Sequence, residues 1–117
     1  MARRRAPHPL MADEALEMVA ARFRALSDPS RLRLLNLLMQ GERSVQELVD
    51  ESDLTQTNVS RHLGLLRREG VVSRNREGNR ALYRIADPSI AKLCTLVCGG
   101  LSDRLSDDLD ALSGAGA

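Results

Sequence analysis

From Leu10 to Leu26 apolar residues return every three to four positions (Leu16, Val19, Ala20, Phe23, Leu26), the spacing that puts them on one face of a helix. Ser27-Asp28-Pro29 stops that helix and caps the next, because proline in a first turn gives up only an amide that would have no helical partner. The second helix shows Leu32, Leu35, Leu38 and Met39 as its stripe and ends at Gly41. Ser44-Val45-Gln46-Glu47 has the spacing of a capping box and opens a short helix to about Glu51. After the turn Ser52-Asp53-Leu54, Thr55 is an N-cap for a longer helix carrying Val59, Leu63, Leu65 and Leu66 and ending at Gly70. Two helices joined by about four residues form a helix-turn-helix.

Past Gly70 the period changes to two. Val71 to Arg76 and Arg80 to Ile85 read as the strands of a β-hairpin whose turn is at Gly78-Asn79. Asp87-Pro88 then caps a last helix with Ile90, Leu93, Val97, Leu101, Leu105, Leu109 and Leu112 as apolar positions. The predicted order is α-α-α-α-β-β-α, mostly α with a small β-hairpin. Residues 10–112 read as one domain between a charged, proline-broken arm over 1–9, expected to be disordered, and a flexible tail over 113–117. At 117 residues the chain is too short for two independent domains. With only 2% aromatic residues its core must be filled by aliphatic side chains, which suits packed helices.

A net charge of +1 decides nothing about nucleic acid, so the distribution matters. Residues 61–84 hold seven arginines against Glu69 and Glu77, whereas the stretch from Asp87 onward holds five aspartates against Lys92 and Arg104. One surface is predicted to be basic and another acidic. No apolar run approaches the roughly 18 residues of a membrane span, and Met1 to Pro9 has no hydrophobic signal region, so a cytoplasmic protein without a membrane partner is expected. Two cysteines, Cys94 and Cys98, make no disulfide framework.

The helix that starts after Thr55 carries a polar face of Gln56, Thr57, Asn58, Ser60, Arg61 and His62 around its apolar stripe. Such a face suits the major groove. Gln and Asn can bond bidentately to adenine, Arg to guanine, and Ser or Thr to bases or phosphates, while the helix N-terminus attracts phosphate. The hairpin adds Arg74, Arg76 and Arg80 beside the thin Gly78-Asn79 tip, which can follow a phosphate backbone or enter a minor groove. Taken singly, a polar helix face is usually only solvated, and arginines on a hairpin often just prevent edge pairing. It is their conjunction on consecutive elements that points to double-stranded DNA. His62 has no Cys or acid at ligand spacing and reads as a packing or phosphate-contact residue.

Three stretches carry a family resemblance: Phe23 to Leu35 (FRALSDPSRLRLL), Gln56 to Arg67 (QTNVSRHLGLLR), and Gly70-Val71-Val72 with Gly78 to Arg84 (GNRALYR). In this order they resemble the ArsR/SmtB family of winged helix-turn-helix repressors over roughly residues 15 to 112. The resemblance implies a homodimer built from the first and last helices, through Leu16, Val19, Phe23, Leu93, Val97 and Leu101. It also implies that the dimer represses transcription from operator DNA until an inducer weakens binding.

Members that sense arsenic carry Cys-x-Cys where this chain has Ser44 and Gln46, and the zinc-sensing pattern on the last helix is replaced by Asp87-Pro88-Ser89 with no histidine. Cys94 and Cys98 remain, one helical turn apart on one face. Two thiols can bind a soft metal or metalloid ion such as As(III), Cd(II) or Cu(I), with further ligands from a second protomer or solvent, or can be oxidised or persulfidated. The competing reading is two small buried hydrophobes in a helix interface. Gly99-Gly100 predicts a break, kink or close helix approach next to them. A winged helix acting as a protein-interaction or architectural module is the alternative function. An enzyme is disfavoured: there is no phosphate loop, histidine cluster or nucleophile-base pair, and Cys94-x-x-x-Cys98 is not a catalytic dithiol.

Overall fold

A computed structural model describes residues 10–113, so the arm over 1–9 and the tail beyond 113 lie outside the described residues. Helix α1 spans Asp13–Leu26, and α2 spans Pro29–Leu38. The junction between them forms as its residues dictate: the Asp28 carboxylate accepts the Arg31 amide at 3.0 Å, and Pro29 occupies the first turn. Helix α3, Val45–Ser52, opens on a complete capping box, with Glu47 N donating to Ser44 Oγ at 3.2 Å and Ser44 N donating to Glu47 Oε1 at 2.9 Å. Asp53 then takes a left-handed conformation (φ 62°), turning the chain into α4, Gln56–Arg68.

One element is missing from the predicted order. Arg43–Ser44 form β1, which pairs antiparallel with β3, Arg80–Ile85, and β3 pairs with β2, Val72–Glu77. The sheet therefore has three strands in the order β1-β3-β2. A two-residue strand shows no alternation of its own; it exists only because Ser44 sits opposite Leu82 and Arg43 opposite Tyr83. The hairpin turn lies at Gly78-Asn79, where Gly78 adopts φ 64°.

Leu34, Leu35, Leu38, Leu48, Val59, Leu63, Leu66 and Val71 form the buried centre, so α2, α3 and α4 wrap one aliphatic core with the sheet at its edge. The last helix, α5, Pro88–Ser113, is attached differently. Only Ile90 is buried, Leu93 and Cys94 pack partly on the core, and every residue from Thr95 to Ala111 is exposed. The radius of gyration of 18.7 Å exceeds the roughly 13 Å of a compact chain of about 100 residues, as expected where most of α5 and the first turns of α1 lie off the buried core. Gly99-Gly100 introduces no break: the helix continues through both, and a Cβ at either position would meet nothing within 4 Å. No helix among the described residues is long and apolar enough to cross a membrane.

Candidate nucleic-acid interface

Helix α4 is placed by its stripe: Val59, Leu63 and Leu66 are fully buried, so the opposite face must look outward. Gln56, Thr57, Ser60 and Arg61 are exposed there and Asn58 is half-buried. Thr55 has a structural task, since its Oγ1 accepts the Asn58 amide at 3.1 Å as the helix cap. Asn58 Oδ1 in turn accepts from Arg61 Nη2 at 3.1 Å, which aims the guanidinium along the face. Arg61 thus reaches outward already held on one side.

His62 does not belong to that face. It lies three residues after Val59 and four before Leu66, which places it on the inner stripe, and it is 9% exposed. Its Nδ1 lies 3.5 Å from Arg31 Nη1, and its Nε2 3.9 Å from Asp28 Oδ2. Burial pushes the imidazole below its ordinary pKa and outweighs the opposing attraction of Asp28. Arg31, which also donates to the carbonyls of Ala25 (2.6 Å) and Arg24 (3.2 Å), joins the end of α1 and the start of α2 to this side of α4. His62 is therefore a packing residue, and the same 3.6-residue period that finds Val59 and Leu66 was sufficient to find it.

The hairpin forms a wing. Arg74, Arg76, Asn79 and Arg80 are exposed along it. They are not equivalent: Arg80 Nη2 donates to Glu47 Oε1 at 2.7 Å, binding the start of β3 to α3, whereas Arg74 and Arg76 have no ion-pair partner among the described residues. Glu47 is held as a carboxylate first by the Ser44 amide and hydroxyl and then by Arg80 and Arg43, which lowers its pKa. Arg84 is taken up by Ser73 Oγ at 3.3 Å. Of the exposed cations of the wing, Arg74 and Arg76 are thus the ones without a partner among the described residues, with Arg80 already facing an acid and Arg84 bonded to Ser73.

A second feature is formed by α1, α2 and α5. The exposed stripes of α1 (Leu16, Val19, Phe23) and α5 (Val97, Leu101, Leu105) are uncovered, and Leu93 is tucked partly against the core. Between α1, α2 and α5 runs an apolar groove of about 1090 Å³, lined by Phe23, Leu35, Met39 and Val97 together with Cys94 and Cys98. Cys94 is half-buried and Cys98 exposed. Burial pushes the Cys94 thiol up, favouring the neutral form over the nucleophilic thiolate. No cluster of three or more His, Cys, Asp or Glu that could hold a metal exists among the described residues, so an ion would rest on these two thiols and on donors from elsewhere.

The family model described as bacterial regulatory protein, arsR family, matches residues 28–74, from the cap of α2 into the wing. The HTH-type transcriptional regulator Rv0081 of Mycobacterium tuberculosis is 43% identical over 91 residues, covering 77% of this chain and 80% of its own. Its crystal structure covers 84% of this chain and 99% of its own, with a TM-score of 0.74 and 39% identity. The NMR structure of Mb0332 from Mycobacterium bovis, a homodimeric winged helix-turn-helix DNA-binding domain, gives a TM-score of 0.75 at 36% identity, covering 81% of this chain and 91% of that one. The biofilm growth-associated repressor of Agrobacterium fabrum is 41% identical over 87 residues, 74% of each chain. The capped helix-turn-helix, the wing that follows it and these likenesses agree: the chain belongs to the arsR family of bacterial regulatory proteins and is a winged helix-turn-helix transcriptional regulator.

Proposed function

We propose that the protein is a cytoplasmic homodimeric repressor that binds an inverted-repeat operator and leaves it when an inducer acts at the α5 groove. The observation that carries the reading is the outward polar face of exposed Gln56, Thr57, Ser60 and Arg61 with half-buried Asn58, followed in the chain by the exposed arginines of the wing. The helix enters a major groove with Arg61 and Asn58 reading bases, and the N-terminal amides near Thr55 meet phosphate. Arg74, Arg76 and Arg80 lie along the backbone, with Asn79 at the wing tip. The uncovered apolar residues of α1 and α5 meet their counterparts across a two-fold axis, which spaces two recognition helices for two half-sites. That the M. bovis relative is a homodimer and the A. fabrum relative a repressor supports the assembly and the sign of regulation.

Cys94 and Cys98 are the candidate inducer contacts, because their thiolates are the groups in the groove that would ligate a soft ion or attack the sulfane sulfur of a persulfide donor, releasing the donor's thiol. The test is an anisotropy titration of the reduced protein on promoter DNA and on a random duplex of equal length, at several salt concentrations, with As(III), Cd(II) or a persulfide donor added in parallel. Preferential, salt-dependent binding of two protomers per site, reversed by one of the thiol reagents, is the expected result. Equal affinity for both duplexes, or one protomer per site, overturns the DNA reading; insensitivity to every reagent overturns the inducer.

A further inference from the structure

Arg22, on the inner side of α1, reaches two other elements at once. Its Nη1 donates to Asp87 Oδ2 at 2.6 Å and its Nη2 to the Glu69 carbonyl at 2.8 Å. Glu69 is the C-cap that follows α4, and Asp87 immediately precedes α5, accepting the Ser89 amide at 3.0 Å and the Ser89 hydroxyl at 2.6 Å on its Oδ1. One guanidinium therefore joins a residue of α1, the end of the recognition helix and the root of α5. We propose that Arg22 is a positioning residue for operator recognition, tying the pose of α4 to the arrangement of α1 and α5.

Three further features agree with this. The end of α4 closes in a glycine turn, with Val71 N donating to Leu66 O at 2.9 Å and Gly70 N to Arg67 O at 3.0 Å, and Gly70 at φ 73°. A Cβ on Gly70 would lie 3.2 Å from Arg22 Nη2, so the bare glycine also makes room for the guanidinium. Beyond Cys94, α5 has no buried residue through Ala111, so its direction is set at its root, where Arg22 holds Asp87. Whatever re-aims α5 pulls on Asp87 and, through the rigid fork of Arg22, on the carbonyl of Glu69 that caps α4. A lysine at 22 keeps the charge but has no planar fork to span both acceptors.

The inference rests on the proposed DNA-reading role of α4, and the experiment separates the two. The full chain is compared with Asp87→Asn and Arg22→Lys by amide NMR and hydrogen exchange at Gly70 and Val71, and by affinity for operator and random duplex. Asp87→Asn leaves Arg22 in place and keeps an oxygen for the Ser89 cap. Removing the charge on α5 should nonetheless move the Gly70 and Val71 amides at the end of α4. It should also cost roughly tenfold in operator affinity, with random-duplex affinity unchanged, and Arg22→Lys should not restore the wild-type pattern. Unmoved Gly70 and Val71 amides in Asp87→Asn, an Arg22→Lys protein indistinguishable from wild type, or an unchanged operator preference in Asp87→Asn overturns the proposal. A wild-type protein with no operator preference defeats the DNA reading instead, and the amides still decide whether Arg22 links the two helices.

Discussion

Val97→Asp separates the proposed dimer from the fold of the protomer. Val97 is 54% exposed and lies in the stretch of α5 that contributes nothing to the buried core, so a carboxylate there is solvated in an isolated protomer. In a dimer seam it is not. An unpaired charge buried against apolar neighbours costs about 3–5 kcal/mol, and two-fold symmetry places one in each protomer, for about 6–10 kcal/mol per dimer. At about 1.4 kcal/mol per decade the dissociation constant rises by roughly four to seven decades, which takes even a nanomolar dimer to about 10 µM or weaker. Leu93→Asp is the less informative choice, because Leu93 packs partly on the core and its replacement would disturb folding as well. Sedimentation velocity should show the Val97→Asp protein at monomer mass, with far-UV circular dichroism retaining the helical spectrum and operator affinity lost because half-sites are read one at a time. A variant that sediments with the wild type and binds operator with unchanged affinity would refute the placement of the interface on α5.

On the DNA side, Arg76→Ala should weaken all duplexes alike and lower the salt slope by about one counterion per protomer, whereas Arg61→Ala should change the preference among operator variants; identical behaviour of the two in salt titrations would contradict the division of roles. Gly64→Ala should raise stability by about 0.5–1 kcal/mol in urea denaturation, since Gly64 is helical and its Cβ would meet nothing within 4 Å; a loss of stability would mean that a partner fills this space. The His62 pKa is lowered on folding from 6.5, so the unfolded chain takes up that proton first and stability falls as pH drops through 6.5 toward the folded value. Asp28, Glu47 and Asp87 are lowered too, from 3.8, 4.5 and 3.8, so their contribution is complete above those values and its loss begins only at more acidic pH than the onset of the His62 effect. Melting temperature plotted against pH should therefore begin to fall near 6.5 and fall further in the carboxylate range, and His62→Asn should remove the onset near 6.5 alone; a profile unchanged by His62→Asn would show that the imidazole does not titrate differently on folding.

Signals confined to a few neighbouring residues were legible in the chain itself. Asp28 with Pro29, Ser44 with Glu47, Thr55, and Gly78-Asn79 each satisfy or redirect backbone groups within a turn, so the caps, the helix-turn-helix and the hairpin follow from residue types at fixed spacing. The exposed face of α4 was legible for the same reason, since Val59, Leu63 and Leu66 mark its opposite side. The same period puts His62 on the buried side, in keeping with the packing reading of that residue and against its place on the polar face. Strand β1 was not legible, because its two residues acquire strand geometry only from β3, almost forty positions later in the chain. The partner of Arg80 was likewise hidden: Glu47 is far away in sequence and meets it only once the wing folds back on α3. Of the break, kink or close helix approach expected at Gly99-Gly100, α5 shows no break, since a local propensity of about 1 kcal/mol per glycine is too small to stop a helix continued on both sides. The joining of α1, α4 and α5 through Arg22 was decided by tertiary structure alone, for a guanidinium chooses its acceptors by distance in space, and no period along the chain records which carbonyl and carboxylate will lie within its reach.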